Sequence, residues 1–309
     1  MTSLERYQAS LRQANVGQNK KKKYSKAFLH EEKHALLFVL VPIIGFLLFT
    51  FASTCFSIYQ SLTNFNPLKV TYAWVGLDNY INLFQDKRFI NSCINTVVLL
   101  VSIPIGITIG FLIAAFIRKM ARGSKILSLL FYLPAVTSAV AICVVWQYMY
   151  NYEYGIINLI FGFNIDWYSN TDFFLVKIAI MIKGVWGGIG STLILFLAGL
   201  NNIPKEYYEA SEIDGANRLQ QMVHVTVPMV SPTVFYLLVT QVISHLQAYA
   251  DAKILTKGAR QAQTIIYYIW TYGIEDSRYG LASAAAVTLA IVIVIVTIIQ
   301  FKRSKLLEV

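Results

Sequence analysis

The sequence predicts an all-α integral membrane protein, and its composition and hydropathy carry this prediction. Of the 309 residues, 56% are hydrophobic and only 14% are charged, whereas soluble domains carry about 25% charged residues. The mean hydropathy is positive. Because backbone groups inside a bilayer have to be hydrogen-bonded within the segment itself, helices are the expected spanning elements.

Six stretches are long and apolar enough to cross a bilayer, which takes about 20 residues per helix. We number them spans 1 to 6, with approximate bounds 35–58, 94–117, 126–150, 174–200, 229–250 and 281–301. Span 1 is too long and too far from the start for a cleaved signal peptide, so it is interpreted as a true span.

The positions of lysine and arginine predict the orientation, since basic loops stay on the cytoplasmic side. With the N-terminus inside, 17 of these residues fall in inner segments and 7 in outer loops, while Lys177 and Lys183 lie in span 4. Both termini are therefore predicted to be cytoplasmic. The lysine run 20–23 is explained by this topology, and contact with anionic headgroups is the alternative.

One domain, preceded by a polar tail, is expected. Residues 1–33 form a polar N-terminal tail, and residues 34–309 form one six-helix membrane domain with a polar cytoplasmic loop at about 201–228. The tail lacks the apolar periodicity of a folded core.

Motifs for catalysis, metal binding and nucleotide binding are missing from the sequence. There is no GxxxxGK[ST] phosphate loop, and the histidines and cysteines show no metal-binding spacing. The glycine-rich run that includes Gly190 lies inside an apolar span without a preceding strand, so helix packing or a cavity wall explains it better than a nucleotide loop. We expect no catalytic residue, no metal and no cofactor bound by this chain.

Spans 4 and 5 each carry a stripe that suggests a substrate path. The residues recur at i, i+3, i+4 and i+7, which places them on one helix face. They are Gln241, Ser244, His245 and Ala248 in span 5, and Gly184, Gly187, Gly188 and Ser191 in span 4. The alternative for the polar stripe is hydrogen bonding that only holds the helices together. Lys183 borders the stripe of span 4, or else snorkels outward.

The loop between spans 4 and 5 predicts a short helix. Asn202 is expected to cap it, with Pro204 in the first turn. Gly215 is expected to end it, and Pro228 and Pro232 to start or kink the next helix.

Side chains of this short helix sort onto two faces. Three acids, Glu206, Glu209 and Glu212, favour its positive N-terminal end. A neighbouring face carries Tyr207, Ala210, Ser211 and Asp214, which are small enough on average to pack against a partner. A solvated loop with partial helix is the alternative.

The segment YEASEIDGA, with Val227 and Pro228 after it, resembles the EAA signature of permease subunits of binding-protein-dependent ATP-binding-cassette importers. Further segments resemble the sugar-importer branch, the maltose-transporter permease type, from about residue 35 to the C-terminus. These segments are WVGLDNYINLF, RFINSCINT, YLPAVTSAVAICVVWQYMYNYEYGIIN, AGLNNIPKEYYEAS and ILT. One departure is TKGAR at 256–260, where the family usually has TxGGP.

The resemblance implies the core of a type I importer, with six transmembrane helices and a cytoplasmic coupling helix that docks on an ATPase. The motif residues that it assigns to ATPase coupling are Glu209, Ala210, Ser211, Asp214 and Gly215. It implies a bacterial inner-membrane, non-catalytic subunit whose partners are a homologous second permease, two ATPase subunits that bind ATP-Mg, and an extracytoplasmic solute-binding protein. It also places the two stripes in the substrate cavity, with a carbohydrate, in particular an oligosaccharide, as substrate.

Three alternatives remain at this stage. A permease for another small polar solute, such as glycerol phosphate, is disfavoured because the stripes carry no lysine or arginine except bordering Lys183. A secondary transporter is disfavoured because no aspartate or glutamate lies centrally in the predicted spans. An intramembrane enzyme using His245 lacks a nearby acid.

Overall fold

The structure is a computed structural model that describes residues 38–68, 72–168 and 174–304. These residues form helices and connecting loops, with one isolated antiparallel bridge between Thr63 and Trp74, which confirms the predicted all-α class. The chain divides into two compact units, Met1–Phe56 and Ser57–Val309. The predicted tail, 1–33, lies outside the described residues.

In the first unit, the described residues 38–56 are helical, and Phe46–Phe51 has π-helical hydrogen bonding. They open an apolar helix, Phe38–Ser61, that is long enough to cross a membrane. This helix is span 1, and it ends a few residues later than the sequence predicted.

In the second unit, three further helices are long and apolar enough to span a bilayer. They are Lys87–Arg118, Leu175–Asn201 and Tyr279–Arg303, and they correspond to spans 2, 4 and 6. Span 2 begins earlier than predicted because Asp86 caps it, its carboxylate accepting a hydrogen bond from the Arg88 backbone N–H at 2.8 Å.

Spans 3 and 5 each consist of two helices that meet at a bend. The bend within the predicted stretch 126–150 was not expected, whereas the bend of span 5 lies between the two prolines that were expected to start or kink a helix. Helices Ser124–Val136 and Ala139–Met149, here 3a and 3b, meet at 100°. Helices Arg218–Met229 and Ser231–Leu246, here 5a and 5b, meet at 60°. Each pair is apolar enough to form one span if both halves are taken together.

The breaks have local causes. Pro134 lies inside 3a, and Thr137 beyond it takes an extended conformation. Pro228 lies in Val227–Met229, the last segment of 5a, and Pro232 lies in the first turn of 5b, which confirms that these prolines start or kink helices. Because proline has no backbone N–H, it is tolerated in a first turn and disrupts a helix interior.

The remaining helices are short and lie between the spans. They are Asp78–Gln85, Ile156–Phe161, Lys205–Ile213 and Ile265–Trp270, together with the π-helical turns Asp251–Leu255 and Thr271–Glu275 and the 3-10 turn Arg260–Ala262. A further π-helical turn, Met222–Thr226, lies within 5a.

Span 4 lies at the centre of the second unit and packs on span 2 and on 3a. Between spans 2 and 4, the rings of Phe111 and Phe196 meet edge to face at 5.2 Å. A Cβ atom at Gly190 would lie 2.3 Å from the Phe131 carbonyl oxygen, and one at Gly110 would lie 2.5 Å from the Thr192 methyl group. Glycine at these positions therefore lets the helices approach closely.

One end of the second unit holds the helix Lys205–Ile213, and we call it the EAA end. At the opposite end the Asp86 carboxylate accepts hydrogen bonds from the hydroxyls of Tyr268 at 2.8 Å and Tyr272 at 3.0 Å. Burial acts to raise the pKa of Asp86, but these bonds and the one from the Arg88 N–H outweigh burial and lower the pKa. The cluster fixes the segment before span 6 against the start of span 2.

The segment 251–278 is also bonded to span 2 and contains an ion pair within itself. The Asn95 amide donates to the Gln263 carbonyl at 3.0 Å. Lys253 pairs with Glu275, and this hydrogen bond raises the pKa of Lys253 and lowers that of Glu275. Because both side chains are substantially exposed, the pair contributes little to stability.

Candidate functional site

A cavity of about 400 Å³ opens among spans 2, 3, 4 and 5, and both predicted stripes line it. The residues that it shares with the predicted stripes are Gly184, Gly187, Gly188, Ser191, Gln241, Ser244, His245 and Ala248. The 3.6-residue periodicity alone thus identified residues on two helices that line the same cavity.

The wall from span 4 includes three glycines, which have no side chain to fill the cavity. A Cβ atom at Gly187 or Gly188 would meet nothing within 4 Å, and one at Gly184 would lie 3.9 Å from Nε2 of His245. Gly190, on another side of the same helix, packs directly against 3a. Both explanations of the glycine run therefore apply, each to different glycines.

The wall from 5b is polar, and its side chains bond to neighbouring spans. The Gln241 amide donates to the Thr192 hydroxyl at 2.9 Å. Nδ1 of His245 lies 2.9 Å from the Gln241 carbonyl oxygen, and its Nε2 lies 3.3 Å from the Ser102 hydroxyl. Since a carbonyl only accepts, Nδ1 carries a proton in this geometry. These residues line the cavity and also link helices, so the two interpretations of the stripe are compatible.

An ion pair that the sequence did not reveal lies in the same cavity. Nζ of Lys183 is 2.5 Å from Oδ1 of Asp251, and the two side chains are only 12% and 19% exposed. Cys143 of 3b donates to the same carboxylate oxygen at 3.4 Å. The suggestion that Lys183 snorkels outward is therefore wrong.

Asp251 was missed because it follows the predicted end of span 5 by one residue. The sequence argument that acids are absent from the spans does not hold for the cavity, which has this carboxylate in its lining. The available signal was a lysine in one apolar span, Lys183, and an aspartate just after another, Asp251, because intramembrane charges usually pair.

The EAA segment lies at the EAA end, away from the cavity lining. Its helix, Lys205–Ile213, follows Pro204, which has an extended conformation. Asn202 is the C-cap residue of span 4, and Pro204 itself occupies the N-cap position of the EAA helix, so the prediction of an Asn202 cap with Pro204 in the first turn was wrong. Glu206 is the acid of the first turn.

One face of the EAA helix packs on the protein. The Tyr208 hydroxyl accepts a hydrogen bond from Nη1 of Arg118 at 3.1 Å and lies 3.0 Å from the Thr226 hydroxyl. Ser211 is half-buried and donates to the Tyr208 carbonyl at 2.7 Å. Sequence reasoning did not single out Tyr208, although it lies three residues before Ser211 and therefore shares its face.

The opposite face is exposed and carries most of the EAA motif. Glu209, Ala210, Asp214 and Gly215 are exposed, as are Tyr207 and Glu212. Gly215 has a φ of +77° and ends the helix as predicted, with the Ala216 N–H bonded to the Ser211 carbonyl at 2.9 Å. Nothing else in the described part of the second unit covers these motif side chains.

The next helix begins with a capping box that was not recognised. The Asn217 side chain accepts from the backbone of Leu219 and Gln220, and the Gln220 side chain accepts from the Asn217 N–H. The signal was an asparagine three residues before a glutamine. Helix 5a therefore begins inside the stretch 201–228 that the sequence assigned to a loop.

The TKGAR departure from the family loop forms a tight turn. Lys257 and Gly258 have φ values of 51° and +80°, and the Thr256 hydroxyl donates to the Ala252 carbonyl at 2.7 Å. The turn places two consecutive residues in the left-handed region, where glycine is favoured.

Comparison with known proteins reveals relatives along most of the chain. It is 32% identical over 294 residues to the probable ABC transporter permease protein YesP of Bacillus subtilis, covering 91% of this chain and 94% of that protein. It is 28% identical to the multiple sugar-binding transport system permease protein MsmF of Streptococcus mutans, covering 88% and 95%. It is 26% identical to the sn-glycerol-3-phosphate transport system permease protein UgpA of Escherichia coli O157:H7, covering 80% and 85%.

Solved structures share the fold. A chain of a bacterial ABC transporter involved in the import of the acidic polysaccharide alginate aligns with a TM-score of 0.76 at 24% identity, covering 91% of this chain and 99% of that chain. A chain of the alginate transporter in complex with its pentasaccharide-bound periplasmic protein aligns with a TM-score of 0.77 at 22% identity, covering 90% and 96%.

The family description that matches residues 106–303 is "binding-protein-dependent transport system inner membrane component". The matched region includes the EAA segment and the cavity lining except Ser102. The resemblance noted in the sequence is thus confirmed, and the chain belongs to the family of multi-pass inner-membrane components of binding-protein-dependent transport systems.

Proposed function

We propose that this chain is a permease subunit of an ATP-driven importer for a carbohydrate, in particular an oligosaccharide, and that it forms half of the translocation pathway. The observation that carries the proposal is the cavity in which both stripes meet. The similarity to MsmF, whose name describes sugar transport, and the fold shared with the alginate importer support it.

The chemistry of the cavity suits a sugar. Gln241, Ser244 and His245 offer donors and acceptors for hydroxyl groups, and the bare backbone at Gly187 and Gly188 leaves room for a ring. A second, homologous permease would supply the facing wall.

The charge of the cavity favours an uncharged substrate. Lys183 is paired with Asp251, so the two lining charges cancel. Glycerol phosphate is the second candidate because UgpA relatives carry that name, but a phosphate would have to displace Asp251 from Lys183. The same pairing disfavours a secondary transporter, which needs a carboxylate able to bind the coupling ion.

The EAA segment would couple ATP binding and hydrolysis in the partner subunits to the conformation of the cavity. Glu209, Ala210, Ser211, Asp214 and Gly215 would contact one of two ATPase subunits, which bind ATP-Mg, while this chain binds no cofactor and performs no covalent reaction. ATP-driven closure would shift the population towards the outward-facing state, which receives substrate from the extracytoplasmic binding protein. In this arrangement both chain termini, including the tail 1–33, are cytoplasmic.

The cavity assignment is tested with His245→Leu in the transporter assembled with its partners. We expect uptake from a panel of neutral oligosaccharides to fall strongly while copurification of the subunits is unchanged. Thr240→Val is the matched control, because the exposed Thr240 hydroxyl bonds only within its own helix, to the Tyr236 and Leu237 carbonyls. Uptake of glycerol 3-phosphate in place of sugars would select the second candidate.

The coupling assignment is tested with Glu209→Lys against Glu206→Lys. Both glutamates are exposed on the same helix, and only Glu209 belongs to the motif. We expect the first variant to insert normally but to lose ATPase stimulation and uptake, and the second to retain them. Equal activity of the two variants would refute the role of Glu209.

A further inference from the structure

A second cavity, of about 520 Å³, lies at the EAA end between the end of span 2, helix 5a and the EAA helix. Its lining residues are Ala115, Arg118, Lys119, Leu200, Tyr208, Arg218, Gln221, Met222 and Thr226. Three of them are cations and none is a carboxylate. The cavity wall is therefore suited to an anion.

Arg118 is positioned by Tyr208. Its Nη1 donates to the Tyr208 hydroxyl at 3.1 Å, and its guanidinium carbon lies 5.4 Å from the centre of the Tyr208 ring. A neutral hydroxyl and a ring orient the guanidinium without cancelling its charge.

Acidic side chains do little to offset these cations. Within the described residues, the ion pairs do not involve Arg118, Lys119 or Arg218. The acid that contacts the lining is Glu212, through a 3.5 Å hydrogen bond from Gln221.

A groove of about 540 Å³ adjoins this cavity and shares Arg118 with it. Its lining is mixed: the apolar residues are Ile117, Met120, Leu129, Ile194 and Leu197, and the polar residues include Ser124, Lys125, Ser128 and Asn201. Leu129 and Ile194 are 60% and 41% exposed. A cationic cavity beside a groove that offers exposed apolar side chains matches a molecule with an anionic head and a hydrocarbon chain.

We propose that an anionic phospholipid binds here, with its phosphate among Arg118, Lys119 and Arg218 and an acyl chain along the groove. A lipid fits better than a soluble anion because Arg118 is the last residue of a membrane span, where basic side chains meet headgroups. The lipid would join span 2 to 5a and Tyr208, and so would stabilise the position of the EAA helix on the bundle. The assignment does not depend on which solute is carried.

The test uses the assembled transporter in nanodiscs of phosphatidylcholine with added phosphatidylglycerol, and native mass spectrometry measures which lipid is retained. We expect phosphatidylglycerol to be retained preferentially. In Lys119→Gln/Arg218→Gln its affinity should fall roughly thirtyfold, since each cation near the membrane surface contributes about a factor of five. Both side chains are exposed, so their replacement leaves folding unaffected.

The matched control is Arg122→Gln/Lys302→Gln, which removes the same charges from exposed positions outside both cavities. It should retain phosphatidylglycerol as the unmodified protein does. Equal losses in the two double variants, or no preference over phosphatidylcholine, would overturn the proposal. Displacement of phosphatidylglycerol by inorganic phosphate, with phosphate bound in its place, would assign the site to a soluble anion instead.

Discussion

The cavity and the EAA segment use polar residues in opposite ways. In the cavity, polar side chains bond across helices, as Gln241 does to Thr192 and Lys183 to Asp251. In the EAA segment, side-chain bonds are mostly local, as in the Asn217 capping box, and the acids point outward. The cavity lining thus contributes to the stability of the subunit itself, whereas the exposed EAA side chains remain available to another protein.

The difference follows from how well polar side chains are solvated at the two places. A polar group inside a bilayer is costly unless it is bonded, so residues that line a path among the spans also have to find partners within the protein. An exposed acid such as Glu209 keeps its hydration and adds little to folding. Leaving a charge of the cavity without its partner should therefore lower stability, whereas substitutions in the EAA segment should affect coupling without stability.

The largest effect is expected for Lys183→Met, which leaves Asp251 without its cation. The melting temperature of the purified complex should fall by an amount that corresponds to about 2 kcal/mol. This is less than the loss for a fully buried pair, because the two side chains keep 12% and 19% exposure.

The control for that prediction is the double variant Lys183→Met/Asp251→Asn, in which no charge is left unpaired. It should recover most of the lost stability, because the penalty comes from the isolated carboxylate. If the double variant were as unstable as the single one, Lys183 would act through packing of its stem rather than through its charge.

An effect of similar size is expected within span 4, where Gly190→Ala and Gly188→Ala place the same methyl group on different faces. At Gly190 the methyl carbon would lie 2.3 Å from a backbone carbonyl oxygen, and at Gly188 it would meet nothing within 4 Å. We expect Gly190→Ala to cost about 1–3 kcal/mol. Gly188→Ala should be neutral or slightly stabilising, since alanine favours a helix. Thermal melting of the two complexes measures the difference, and equal melting would show that 3a can move away.

Sequence periodicity predicted much of the cavity because helix faces follow from spacing alone. The stripes at Gly184 and Gln241 needed no knowledge of how the helices pack. The EAA helix end was predictable as well, because Gly215 favours the left-handed conformation that ends a helix.

Other features could not be predicted from the spacing of residues. The 100° bend between 3a and 3b has a local cause in Pro134 and the extended Thr137, but neither residue by itself indicates how sharp the bend is. The pair of Lys183 with Asp251 joins residues far apart in the chain. Helix 5a was taken for loop because its first residues are polar, and only its capping box marked its start. Local patterns indicate what a helix face contains, whereas packing decides which faces meet.

The smallest effect on stability, and the sharpest test of the EAA side of the comparison, is expected at Gly215. Asparagine adopts a φ of +77° at low cost, whereas a valine at this position would introduce about 1–2 kcal/mol of local backbone strain. A Cβ atom at this position would meet nothing within 4 Å, so backbone strain is the only penalty.

We expect both Gly215→Asn and Gly215→Val to melt like the unmodified complex, because the strain is released by local fraying of an exposed helix end. Stimulation of the ATPase by the binding protein should survive in Gly215→Asn and fall in Gly215→Val. If valine supported full stimulation, the shape of this turn would not matter for coupling, and the exposed carboxylates of Glu209 and Asp214 would have to act alone.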